Sequence, residues 1–182
     1  MTLSASLQSS YAQNPPAALF GQTRVGAKCT TMKNAEASAS IPIASAVVYK
    51  PSGATSDLDA TLPANSTDKV AGIVAQSDDY APAYTDLQGN VHGQLDATGI
   101  VKGALMNVVR DGWVWVKCHT GSVPGDRLFV AYNATGSTYT AVGQLGNVAE
   151  SSHAIDASAK GEWKSTSTAD AGAWLELHAD NK

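Results

Sequence analysis

The sequence is poor in the residues that long helices, nucleic-acid binders and disulfide scaffolds require. Charged residues make up only 15% of the 182, and the Glu, Lys, Leu and Arg that sustain a coiled coil or helical rod are scarce. Twelve Lys and Arg stand against 16 Asp and Glu, for a net charge of −4 with no basic cluster, which argues against a nucleic-acid partner. Two cysteines, Cys29 and Cys118, are too few for a stapled small fold and are expected to be reduced thiols. No stretch approaches the ~18 consecutive apolar residues that span a bilayer, so no membrane partner is expected. Met1 to Asn14 carry no Lys or Arg and no apolar run fit for a secretory leader. Synthesis and retention in a cytosol, or release by a route other than secretion, is the expectation.

What remains is a small-residue chain: 79 of the 182 residues are Ala, Gly, Ser or Thr. Larger apolar residues fall in discrete runs between Met32 and Leu177, which argues for a folded core. The length suits one domain, expected over residues 21–182. Residues 1–20 are expected to form an extended N-terminal arm. Asn14-Pro15-Pro16 disfavours helix there, and the arm ends in the apolar tip Ala17-Ala18-Leu19-Phe20-Gly21. Two readings of that tip stand: it tucks into its own domain, or it docks on a neighbouring molecule.

Beyond Gly21, short β-branched or aromatic runs alternate with Gly, Pro, Asn and Asp turns. The pattern predicts an all-β fold, a short-stranded barrel or sandwich with long loops. The expected strands are Ile41–Tyr49, Val70–Gln76, Ile100–Arg110, Trp113–His119, Asp126–Tyr132, Ser137–Val142, Leu145–Val148 and Ala173–His178. Residues 34–40 and 154–160 are expected to form at most single helical turns, and Pro51–Asp68 a long loop. Asp111-Gly112 between two β-rich runs predicts a hairpin with a two-residue type I′ turn, pairing Arg110 with Trp113 and Val109 with Val114. Period-two alternation then puts Leu105, Asn107, Val109, Val114, Val116 and Cys118 on a core face. Met106, Val108, Arg110, Trp113, Trp115 and Lys117 fall on the other, where Arg110 is placed to stack on Trp113. That second face reads either as a second core or as an interface, since Trp and Arg are enriched at interfaces.

Chemistry-bearing constellations are few. His92, His119, His153 and His178 are scattered, and none has zinc-site spacing to another His or to Cys. Asp57-x-Asp59 and Asp78-Asp79 lack the ligand series of a calcium loop. There is no Gly-x-Ser-x-Gly elbow and no phosphate loop. No catalytic residue, metal or cofactor is therefore expected. The candidate site residues are the contact-forming Pro15, Pro16, Leu19, Phe20, Arg110, Trp113 and Trp115.

The order of elements is familiar. A proline-containing arm reaches a glycine (Asn14–Gly21), and Ile41-Pro42-Ile43 leads to Val47-Val48-Tyr49. Val70-Ala71-Gly72-Ile73-Val74 follows. Then comes Gly103 to Val116, with its Asn-Val-Val-Arg-Asp-Gly core, and Pro124-Gly125-Asp126-x-Leu-x-Val. Over residues 14–178 this layout resembles the capsid cement or decoration proteins of tailed bacteriophages. The resemblance implies a non-enzymatic virion protein, made in the host cytoplasm, that binds the outside of the head. It implies the major capsid protein as partner, and self-association as a dimer or trimer. Two other readings are a tail or base-plate β module and a carbohydrate-binding β-sandwich, the latter motivated by Trp113, Trp115, Trp163 and Trp174. A hydrolase is a further reading that no motif supports.

Overall fold

In the computed structural model, residues 19–36, 39–51, 53–77, 84–85, 91–93 and 95–179 are described. Twelve strands appear among them, and no helix. They are β1 (Lys28–Asn34), β2 (Ala46–Tyr49), β3 (Asp59–Thr61), β4 (Val70–Val74), β5 (Tyr84–Thr85), β6 (Val91–His92), β7 (Leu105–Cys118), β8 (Phe129–Ala131), β9 (Leu145–Gly146), β10 (Ala154–Asp156), β11 (Gly161–Trp163) and β12 (Ala171–Leu177). Strands β5 and β6 pair only with each other.

The first five-stranded ring runs β1-β3-β2-β4-β7 and closes because β7 also pairs with β1. It is a barrel: each of its strands contributes to one buried cluster comprising Met32, Val47, Ala60, Ala71, Val74, Met106 and Val108, completed by Ile41 and Ile100. Closure leaves this sheet without edges to template aggregation. Loop residues plug one end. Buried Asn34 donates from its amide to the Ile100 carbonyl at 2.8 Å, and Ile41 pairs with Ile100. The Asp96 carboxylate gathers the Ser40 and Thr98 hydroxyls and the Thr98 and Gly99 amides, which hold its pKa down at about 2.

The second ring uses the other half of β7, flanked by β12 and β9, with β8 beyond β9. Arg127 bridges to Glu162 of β11, and the Gly125 amide donates to the Trp163 carbonyl at 2.8 Å. Its interior holds Val114, Val116 and Cys118 from β7, with Leu128, Val130, Leu145, Trp163, Ala173, Leu175 and Leu177. The cluster continues onto Ala46, Val48, Val70 and Ile73, so the outer wall of β2 and β4 in the first barrel forms the floor under the second.

The hairpin expected at Asp111-Gly112 does not form. Residues 105–118 are one 14-residue strand. A type I′ turn needs positive φ at both central residues. Gly112 has φ +98°, but Asp111 is not among the positive-φ residues. Each half of the strand instead finds its own partners, β1 and β4 before Asp111 and β12 after it. The division into two faces nevertheless holds for the inward residues, but Leu105, expected on the core face, is 53% exposed, because it opposes the exposed Lys33 of β1 on the outside of the first barrel, and Asn107 opposite Thr31 is only half-buried. Lys28 pairs with Asp111 while Cys29 pairs with Val109, so Arg110 is an extra residue, a β-bulge that reverses side-chain parity as a two-residue turn would. Val109, Val114, Val116 and Cys118 therefore do face one core, and Met106 and Val108 the other.

Other strands differ from expectation for local reasons. Ser137–Val142 is not a strand, because side chains satisfy its backbone donors. The Glu150 carboxylate accepts from the Ser137 and Thr138 amides, and the Gln144 side-chain oxygen from those of Thr140 and Ala141. Of Ile41–Tyr49 only the last four residues are a strand; Ala44, at φ 64°, turns the chain before them. Strand β1 was not expected, and β3 lies inside the stretch expected as loop. The helical turn expected at 154–160 is instead β10 followed by a tight turn, with the Lys160 amide donating to the Ala157 carbonyl.

Candidate functional site

The described chain begins at a β-turn. The Gln22 amide donates to the Leu19 carbonyl at 2.9 Å, with Phe20 and Gly21 at the corner. Gly21 is required there. Its φ is +83°, and a Cβ would sit 2.6 Å from the Gln76 nitrogen and 2.7 Å from an Ile43 methyl. Residues 21–24 then run antiparallel to β7 as an added edge. The Gly21 amide donates to the Trp115 carbonyl (2.7 Å), the Trp115 amide to the Gln22 carbonyl (2.8 Å), and the Arg24 amide to the Trp113 carbonyl (3.1 Å). The residues that follow the predicted arm are thus part of the second ring. Of the apolar tip, Leu19 is 69% and Phe20 44% exposed, while Gly21 is buried. Phe20 also lines a pocket of about 230 Å³ with Ile43, Lys117, His119, Val142 and Leu145. His119 Nδ1 and Lys117 Nζ both lie 2.9 Å from Asp170. Burial, and then the Lys117 charge, lower the His119 pKa, against the opposing pull of Asp170.

Next to residues 21–24 lies an aromatic face. Strands β12 and β7 pair Trp174 with Trp115 and Glu176 with Trp113, while Leu175 and Ala173 point inward opposite Val114 and Val116. Trp115 meets Trp174 edge-on at 5.2 Å between centroids, and Trp113 lies 6.4 Å from Trp174. The rings have room because Gly172 faces them: a Cβ there would fall 2.5 Å from the Trp115 ring. The Arg24 guanidinium carbon sits 4.2 Å from the Trp113 centroid and 4.5 Å from that of Trp174. Trp113 Nε1 donates to Glu176 at 3.0 Å, and Lys164 pairs with both Glu176 and Glu162. The Lys164 and Trp113 donors hold the Glu176 carboxyl below its usual range.

The sequence-selected residues separate in space. Pro15 and Pro16 lie outside the described residues. Trp113 and Trp115 do share a face, but Arg110 does not stack on Trp113; the bulge turns it to Tyr49, 5.6 Å from that ring. Arg24 takes the place expected of Arg110. Sequence reasoning missed Arg24 because its contact is made across 89 positions of chain; the one local signal was a cation near the arm tip. Trp163 belongs to the core, fully buried and donating to the Gly146 carbonyl at 3.1 Å. It cannot join an exposed sugar-stacking platform, and Arg24 already covers Trp113 and Trp174.

The reactive groups are dispersed. Among the described residues no group of three or more His, Cys, Asp or Glu is placed to hold a metal ion. Asp59 is a buried loop clasp, accepting from the Thr55 amide and hydroxyl. Cys29 is exposed and Cys118 buried, and both are free.

A family described as structural cement protein (E217 gp24/Pam3 gp6) matches residues 7–178. The chain belongs to this family. Cement proteins of this family are structural components of phages, not enzymes, and this chain is accordingly a capsid-associated virion protein. A solved chain from "The capsid of Myoviridae Phage XM1" shares its fold, with a TM-score of 0.60 and 12% identity over 95% of this chain and 98% of that one. No curated protein matches the chain.

Proposed function

We propose that this cement protein binds the outer surface of a phage head and stabilises contacts between major capsid proteins without catalysis. The observation that carries this reading is the family match over residues 7–178, supported by the clustered aromatic face. Three half-buried tryptophans, Leu19 and Phe20 stand out from a small-residue background. Such a surface gains affinity from burial rather than chemistry, and many copies on a lattice multiply a weak contact through avidity.

The arm, residues 1–20, is the second element of the proposal, with Pro15, Pro16, Leu19 and Phe20 as capsid contacts. An arm that orders only on docking lowers affinity until the full site exists, which suits binding after capsid expansion. Self-association as a dimer or trimer on the head completes the reading. Heads assembled with and without the protein test it: the protein should decorate the exterior and raise the temperature at which heads open. Deletion of residues 1–20 should weaken binding to expanded heads, and unchanged binding would sink the role of the arm.

A further inference from the structure

Arg24 is anchored by its backbone and by two aromatic rings. Its amide donates to the Trp113 carbonyl at 3.1 Å, and its own carbonyl accepts from the Ala27 amide at 3.2 Å. Its guanidinium lies over two indole rings. Among the described residues, no hydrogen-bond or ion-pair acceptor reaches the guanidinium nitrogens, and the residue is exposed. Glu176, cross-strand from Trp113, accepts from Lys164 and Trp113 rather than from Arg24. The next residue, Val25, is fully solvent-exposed at the tip of the turn closed by the Ala27–Arg24 hydrogen bond.

We propose that Arg24, clamped on Trp113 and Trp174, is the receiver for a carboxylate of the capsid subunit beneath it, with Val25 taking an adjacent apolar side chain. A guanidinium presents a planar fork matched to a carboxylate, and stacking fixes that fork before the partner arrives, so little side-chain entropy is left to lose. A polyanion is a poor occupant, because Glu176 lies cross-strand from Trp113 and the chain carries a net charge of −4. A single Asp or Glu with an apolar neighbour fits. Tryptophan and arginine together are also the residues that most often dominate interface energetics.

This proposal rests on the capsid-binding reading, and the test separates the two. Wild type, Arg24→Ala and Arg24→Lys are titrated onto expanded heads assembled without the protein. The fold of each is checked by thermal melt, with Arg24→Lys serving if Arg24→Ala fails to fold. Loss of a charged hydrogen bond predicts about 10- to 100-fold weaker binding for Arg24→Ala. Arg24→Lys, charged but without the fork, should fall between that and wild type. Equal binding by all three overturns the proposal, as does a change confined to self-association in sedimentation. The second arm does not depend on reconstitution: phenylglyoxal labelling of Arg24, read by mass spectrometry, in free protein and in virions. Arg24 should be protected in the particle, and equal labelling overturns the proposal. A wild type that does not bind heads sinks the capsid-binding reading itself, while the labelling result still decides on Arg24.

Discussion

One strand serves two barrels and treats them differently. In its first half, β7 turns Met106 and Val108 inward and leaves Leu105 and Asn107 outside, beside the exposed Thr31 and Lys33 of β1. In its second half it turns Val114, Val116 and Cys118 inward and puts Trp113, Trp115 and Lys117 outside. The two interiors are alike in kind, built of aliphatic side chains with Trp163 added to the second. The exteriors are not alike. Small and polar groups cover the first barrel along β1, whereas a clustered aromatic face covers the second. A sheet needs only one buried face, so the tryptophans outside the second barrel are not explained by folding. The contrast separates what fills the two cores from what lies on the surface beside them.

The largest test of that separation is Trp163→Ala. Removing the fully buried indole, and its bond to Gly146, should cost ~3–5 kcal/mol in urea unfolding. Met106→Ala in the other barrel should cost about 2–5 kcal/mol. Because both cores share β7, each variant should shift one common transition. Two resolved transitions would mean that the barrels are independent units. On the outer face, Trp115→Ala should cost only about 1–2 kcal/mol, the loss of an edge-on aromatic pair with partial burial, and leave the monomer folded. Its binding to heads should fall by more than its stability does. A loss as large as that of Trp163→Ala would make the aromatic face a third core. Gly172→Ala is smaller still, about 1 kcal/mol, since the new methyl displaces the Trp115 ring without emptying a core. It isolates the face from the fold.

The smallest effect is one of pH, at the plugged end of the first barrel. The Asp96 carboxyl is held at about 2, below its unfolded value, so its contribution is complete above about pH 4. It is lost as pH falls through 2. Between pH 5 and 2, Asp96→Asn should show a shallower fall in melting temperature than wild type. Parallel curves would show that this hub contributes nothing through its charge.

How much of this was legible in the residues differs by region. The all-β class and the core alternation of β7 were legible, because β-branched runs and period-two burial are local signals. The path of β7 was not. Asp-Gly is a turn signal only when the two runs lack better partners, and β1, β4 and β12 were better partners for Leu105–Cys118. The same slip in parity makes a turn and a bulge indistinguishable by burial pattern. Strand β1 hid because Lys28, Cys29, Thr30, Thr31 and Lys33 are not apolar, its inward positions being Met32 and Asn34. At the candidate site, Trp113 and Trp115 stood out by rarity. Arg24 did not, since its role exists only where a strand from residue 21 is laid against one from residue 113.

The shared strand also sets how the protein would carry a load. At about 3.3 Å per residue, β7 reaches about 46 Å from one barrel into the other. Pull applied at the aromatic face and resisted at the first barrel runs along this strand rather than across a hinge. Ladders flank it on both edges in both halves, so they must slip together in shear instead of opening one bond at a time. A strand with this layout transmits tension as a single beam.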